Sequence, residues 1–232
     1  MQALDFLKKI ETMKTSVLTL NDISKIINKN KEYSRLYIYR LKKRNIITEI
    51  EKNKYTLSDE PYEVASNLIF PSYISFISAY SIYGLTTQIP KTIYIVSSKP
   101  KKSLIFNKMT INFVVLKNVF GYRKMIYKKN YLFVAELEKA IIDSLYLPKF
   151  CPISETFEVL KNKIDIEKLL KYALLMNSIV LLKRLGFLLD LISIDISKKV
   201  KINNRYDLLN PYLKKSKNNS VRWRLNINEV LE

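Results

Sequence analysis

Histidine does not occur in these 232 residues, cysteine occurs once and glycine three times. The first absence removes Ser-His-Asp and Cys-His catalysis, and with one cysteine it leaves no ligand set for a structural zinc. A single Cys151 excludes an intramolecular disulfide, fits a reducing compartment and reads as a small buried apolar residue. No GxxxxGK[ST] or GxGxxG sequence occurs, so no phosphate-cradling glycine loop is predicted. Long apolar runs are lacking too. The longest, 178–194 (SIVLLKRLGFLLDLISI), is interrupted by Lys183, Arg184 and Asp190 and is too short and too charged to span a bilayer. No signal peptide precedes the first helical pattern. A cytoplasmic protein without membrane contact, metal or cofactor is predicted.

Acidic residues are scarce as well: 21 against 40 basic ones, a formal net charge of +19. Such an excess favours polyanionic partners through long-range attraction. It is spread along the chain, with 13 basic and 8 acidic residues in 1–60, 12 and 4 in 61–150, and 15 and 9 in 151–232. Charge alone therefore does not localise a site. What is abundant is apolar surface, 48% of residues with 12% aromatic, enough for a sizeable core.

The first 60 residues carry the clearest order. Residues 2–13 place Leu4, Leu7 and Ile10 at helical spacing. In VLTLNDISKIIN, Asn21 or Asp22 can cap a helix whose apolar face is Ile23, Ile26 and Ile27. A third helix is predicted from about Lys31 to Arg44, with Ser34, Tyr37, Ile38 and Leu41 inward. IITEIEKNKYTLS then reads as two short strands joined by the polar turn Lys52–Asn53–Lys54. Helix, helix, turn, helix and hairpin form the order of a winged helix-turn-helix over 1–60. The residues left on or beside the outward face of the third helix are Lys31, Tyr33, Arg35, Tyr39, Arg40 and Lys43. Their cations and hydroxyls suit phosphates, arginine can pair bidentately with guanine, and Lys52, Asn53 and Lys54 occupy the wing tip. The competing reading is a solvated basic face on a three-helix scaffold.

A hinge is predicted over 61–72, with Pro61 and Pro71 around one short helical segment, followed by an α/β domain over 73–232. SYISFISAYSIYGL reads as a buried helix ending at Gly84, and TIYIVSS and TINFVVLK as strands, with the basic connection KPKK between them. Residues 125–135 suggest a hairpin or edge strand with a Lys-Lys-Asn turn, and 135–148 an amphipathic helix stopped by Pro148. Residues 154–196 are helical in pattern, and SVRWRLNI near the end suggests a strand. Tyr73, Tyr80 and Tyr83 read as packing residues. Trp223 reads as core, against the alternative of a base-stacking platform flanked by Arg222 and Arg224.

One constellation has an enzymatic reading, Glu136 and Glu138-Lys139 with Asp143, a pattern that places carboxylates and a lysine in some magnesium-dependent nucleases. Residues 86–134 contain no Asp or Glu to supply the upstream metal ligand, so a helix N-terminus is the preferred reading.

Taken together, YISFISAYSIYGLTTQIPKTIYIVSS, FVAELEKAIIDSLYLP, LLKRLGFLLDLI and YDLLNPYLKKSKNNSVRWRLNIN resemble the AbiEi family of antitoxin-like regulators. The matching pieces run from about residue 20 to 228. A Leu-Asp-Pro common in that family is here Leu209-Asn210-Pro211. The resemblance implies a winged-helix domain that represses its own promoter, and a second domain opposing a nucleotidyltransferase toxin in a type IV toxin–antitoxin pair. A stable complex with the toxin is not implied. The expectation is an α+β, non-enzymatic transcriptional regulator whose partner is double-stranded DNA, with a homodimer on the duplex left open. The alternatives are a stand-alone regulator or architectural DNA binder, and a magnesium-dependent nuclease.

Overall fold

The computed structural model describes residues 3–128 and 130–231. The chain is a mixed α+β protein that divides into two compact units. The first takes in the chain up to Ile74 together with 91–119 and 123–134. The second takes in 75–90, 120–122 and the chain from Ala135 onward. Residues 61–74 and the strands of the larger sheet thus belong with the N-terminal helices.

The first unit opens with α1 (Ala3–Met13), β1 (Val17–Thr19), α2 (Leu20–Ile27), α3 (Lys31–Lys43), β2 (Thr48–Glu51) and β3 (Lys54–Thr56). Gln2, the expected first residue of the opening helix, lies outside the described residues. Phe6, Ile10, Leu18, Ile23, Ile38, Leu41 and their neighbours form one apolar core. The cap of α2 differs from expectation. Thr19, not Asn21 or Asp22, is the N-cap. The Thr19 hydroxyl accepts the Asp22 N–H (3.2 Å), and the Asp22 carboxylate accepts the Thr19 N–H (2.8 Å), a reciprocal capping box. The shift arises because Val17–Thr19 is a strand, antiparallel to β3, giving the sheet order β1-β3-β2. Helix α3 starts where the Asn30 side chain accepts the Tyr33 N–H (2.9 Å), and it buries Ser34, Tyr37, Ile38 and Leu41, the stripe its periodicity predicts.

After α4 (Pro61–Asn67) come β4 (Ser72–Ile74), α5 (Phe76–Ile82), β5 (Thr92–Ser97), β6 (Leu104–Phe106), β7 (Met109–Val115), β8 (Tyr122–Tyr127) and β9 (Asn130–Ala135). The strands make one sheet in the order β6-β7-β5-β4-β9-β8. The expected helix over 72–85 is therefore a strand followed by a helix. Ser72–Ile74 is buried on both faces between β5 and β9, where an apolar run suits a central strand as well as a helix. The helix does end as expected: Gly84 has φ +68°, the left-handed conformation that follows a helix C-terminus at low cost only for glycine. Strand β6 is additional to the strands that the sequence pattern predicts. Asn107 and Lys108 both take positive φ (44° and 65°) in the tight turn that pairs it with β7. Lys128 and Asn130 flank the β8–β9 turn, and Lys129, the centre of the predicted Lys-Lys-Asn turn, lies outside the described residues.

The second unit gathers α5, α6 (Leu137–Tyr146), α7 (Ile153–Leu160), α8 (Ile166–Leu175) and α9 (Ile179–Leu191). A small sheet follows, of β10 (Asp207–Leu208), β11 (Asn219–Ser220) and β12 (Leu225–Asn226), in the order β10-β12-β11. The strand expected over SVRWRLNI is broken. Residues 221–224 form a turn in which Arg224 has φ 51° and Trp223 turns inward, 1% exposed. The indole N–H donates to Asp190 Oδ2 (2.6 Å), while Tyr73 and Tyr80 are also fully buried, as core residues should be. On α6 Lys139 and Asp143 are both fully buried and ion-paired one helical turn apart, and Ser75 Oγ donates to Asp143 Oδ2 (2.8 Å).

Two stability predictions follow from this unit. A Cβ on Gly186 would stand 2.2 Å from the Trp223 ring, so Gly186→Ala should cost about 1–3 kcal/mol in urea unfolding, by overpacking. Asp143→Ala removes the carboxylate from a buried ammonium and should cost about 3–5 kcal/mol, whereas Lys139→Met with Asp143→Leu should recover the larger part. Equal losses in the single and double variants would contradict a mutual role for the pair.

Candidate nucleic-acid interface

Because four residues of α3 are committed to the core, its outward face is fixed by helical geometry. At 3.6 residues per turn, the positions opposite the buried stripe are Glu32, Leu36, Tyr39 and Lys43. Lys31 and Arg35 flank that line on one side, and Tyr33 and Arg40 on the other. All six α3 residues expected at an interface (Lys31, Tyr33, Arg35, Tyr39, Arg40, Lys43) are exposed. The Lys43 ammonium lies 5.0 Å from the centroid of the Tyr39 ring, one turn away, and Lys29 lies 6.0 Å from the Tyr33 ring. Leu36 is 46% exposed on the same face, and its lack of charge gives no sequence signal for an interface. An apolar side chain on such a face can contact a thymine methyl.

The hairpin places its three expected residues differently. Lys52 and Asn53 form the two-residue turn and are exposed, with Asn53 at φ 63°. Lys54 is instead the first residue of β3. Its ammonium donates to the Leu68 carbonyl (2.5 Å) and pairs with Glu51 Oε1 (2.8 Å). Lys101 joins the same carboxylate. Burial pushes the Glu51 carboxyl up, but hydrogen bonds from Lys101 and Lys54 outweigh that and hold it below its ordinary value. Lys54 thus serves the fold, and the tip keeps one lysine and one amide. Lys42, which has no place among the residues expected at the interface, is paired with Glu49 of β2, tying α3 to the hairpin.

The residues of the enzymatic reading are also accounted for. Lys139 and Asp143 pair in the core. Glu136 accepts the Tyr172 hydroxyl, and Lys168 lies 3.2 Å from both Glu136 and Glu138. Burial, then the Glu136 hydrogen bond, push the Tyr172 hydroxyl up to about 12. Among the described residues no group of three or more Cys, Asp or Glu side chains could hold a metal ion. Cys151 is 1% exposed, and burial pushes its thiol up to about 12, the setting of a packed rather than a reactive cysteine. No helix among the described residues is long and apolar enough to cross a membrane.

The second unit has a basic surface of its own. Lys198, Lys199, Lys201, Arg205, Lys214, Lys215 and Lys217 are exposed between α9 and β12. Arg205 of this group lies 3.7 Å from Asp207, and Arg222 bridges Asp190 (3.1 Å) and Asp195 (2.6 Å) and lies 5.8 Å from the Trp223 ring.

No protein-family model and no curated protein matches this chain. Among solved structures it is similar to the RV2827C protein from Mycobacterium tuberculosis, at 12% sequence identity, over 96% of this chain and 90% of that one, with a TM-score of 0.62. At that identity the likeness shows a shared mixed α+β fold alone.

Proposed function

We propose that the N-terminal helices and hairpin act as a winged helix-turn-helix, and that the protein is a non-enzymatic transcriptional regulator binding double-stranded DNA. The observation that carries this reading is the division of α3 into one face sunk in the core and another exposing Lys31, Arg35, Tyr39, Arg40 and Lys43. A helix of 13 residues is long enough to lie in a major groove, and its exposed cations suit the phosphates on either side. The β2–β3 turn, with Lys52 at its tip, stands where a wing would meet the backbone. Arg35 and Tyr39 are assigned to base edges. Lys31, Tyr33, Arg40 and Lys43 are assigned to phosphates.

The resemblance to the AbiEi family extends this to autorepression, in the antitoxin of a type IV pair acting against a nucleotidyltransferase toxin without a stable complex. A stand-alone regulator would use the same surface. The two separate on whether a neighbouring reading frame encodes a nucleotidyltransferase, and on whether co-expression restores growth to cells making it.

Fluorescence anisotropy tests the DNA reading, using the gene's own upstream duplex and a scrambled one at two salt concentrations. Binding that favours the first duplex and keeps that preference at higher salt supports it. Equal binding that salt abolishes would reduce α3 to an electrostatic face. Arg35→Ala should lower the preference for the upstream duplex by about 1–3 kcal/mol. Lys52→Ala should weaken both duplexes alike and reduce the salt slope by about one.

A further inference from the structure

Between Glu63 and Glu136 the chain carries no acidic residue, and its densest cationic stretch is Lys99-Pro100-Lys101-Lys102, in the connection from β5 to β6. The DNA reading of α3 and the hairpin gives these lysines no part. In the structure, however, the connection is fastened to that hairpin within the first unit. The Lys101 ammonium pairs with Glu51, the last residue of β2 and the neighbour of Lys52 at the tip. It also lies 5.6 Å from the centroid of the Phe113 ring of β7. Because Glu51 is shared with Lys54 of β3 (2.8 Å), one carboxylate ties both hairpin strands to the connection. The other acid of β2, Glu49, takes Lys42 of α3. Strand β2 is thus joined through its two acids to the helix on one hand and to the connection on the other.

The remainder of the connection is held as well. The Lys99 N–H donates to Oγ of the buried Ser97 (3.1 Å), and the ring of Pro100 fixes the next backbone torsion. Beyond β6, Asn107 Nδ2 donates to the Asp59 carbonyl (2.6 Å), a second tie between this edge of the sheet and the chain that follows the hairpin. Lys99 and Lys102 stand on either side of the anchored Lys101. Both are exposed, and neither has a carboxylate partner among the described residues. A loop already ordered before association loses less conformational freedom when its cations meet an anion.

We propose that the β5–β6 connection is a further arm of the DNA interface, in which Lys99 and Lys102 contact backbone phosphates next to those reached by the wing. The inference rests on the DNA reading and names a second contact of that same interface. Lys101 is a positioning residue, its charge spent on Glu51. The hairpin tip keeps a single lysine, so the arm supplies the positive charge that the wing lacks. Lysines act on phosphates as point charges and carry no base readout, so the arm adds affinity and salt dependence without sequence preference.

Fluorescence anisotropy of the full chain over a series of salt concentrations, on the upstream and the scrambled duplex, provides the test. Lys99→Ala with Lys102→Ala should weaken both duplexes alike and lower the slope of log affinity against log salt by about two. The preference between the duplexes should not change. Any loss of net charge weakens long-range attraction, so the control is Lys8→Ala with Lys9→Ala. Both are exposed on α1, the helix whose Phe6 packs against the inward-facing Tyr37 of α3, and their removal should leave the slope nearly unchanged. A slope unchanged in the connection variant, or lowered equally in the control, overturns the inference. If Lys52→Ala still lowers the slope in that case, the DNA reading stands without the arm. A wild-type chain that binds neither duplex sinks the DNA reading itself and this inference with it. Should the connection variant fail to fold, as judged by its circular dichroism melt, acetylation of the wild-type chain with and without the upstream duplex decides. Protection of Lys99 and Lys102 while Lys8 and Lys9 stay reactive supports the arm, and equal reactivity overturns it.

Discussion

Everything α3 can offer a partner is decided by the four residues it turns inward. Ser34 is fully buried, its hydroxyl donating to the Asn30 carbonyl (2.7 Å) and meeting Ser24 Oγ of α2 (2.9 Å). A small residue there lets two helices approach closely. Tyr37 packs edge-on against Phe6 of α1, with ring centroids 5.5 Å apart, and Ile38 and Leu41 complete the stripe. Rotating the helix by one residue, roughly 100°, would expose part of this stripe and bury a cation. The core therefore holds the outward face in one register, and the proposed DNA contacts inherit that register from apolar packing.

Charge inside the two units is handled in opposite ways. In the second, the buried cations are anchored by acceptors on neighbouring segments, with the Arg184 Nε left without a hydrogen-bond partner among the described residues. Lys183 donates to Asn203 Oδ1 (2.7 Å), the Arg205 carbonyl (2.5 Å) and Asp207 Oδ2 (2.6 Å), and Arg184 donates to the Leu145 and Leu208 carbonyls (2.8 and 3.3 Å). Burial lowers the Arg184 guanidinium to about 10, the signature of a cation held away from water. These two residues break the longest apolar run of the sequence, and their role is to fasten the segment 203–208 to α9. In the first unit the buried Glu63 takes its hydrogen bonds from neutral donors, Ser58 and Asn130, with the Lys128 ammonium near enough to feel its charge.

The elements legible in the sequence are those whose pattern is strong and local: the stripe of α3, the alternating β5 and β7, and the amphipathic α6 that stops before Pro148. The elements that were missed depend on partners far along the chain. Val17–Thr19 is too short to announce itself, and becomes a strand by pairing with Tyr55 and its neighbours. Ser72–Ile74 resembles the start of the helix that follows, because a strand buried on both faces shows no alternation. The turn at 221–224 gave no glycine or proline signal, since Arg224 takes the left-handed conformation itself. At the candidate site the same rule holds. Exposure on α3 follows from periodicity, whereas the engagement of Lys54 with Leu68 and Glu51 is a long-range contact that no local pattern encodes.

That last contact bears on what net charge can predict. In the first unit Glu49 takes Lys42, Glu51 takes Lys54 and Lys101, and Glu60 takes Lys128. Such exposed or half-exposed pairs add little stability one by one, in the range of about 0–1 kcal/mol. Their larger effect is to determine which cations are left over. Lys31, Arg35, Arg40 and Lys43 have no carboxylate partner among the described residues. They are therefore free to replace the counterions of a polyanion without first breaking a bond of their own, and that replacement drives electrostatic association. The few acids of this basic chain thus do more to define the candidate interface than its many lysines. They neutralise Lys54, Lys101 and Lys128 along the hairpin and sheet margin and leave α3 with unspent charge.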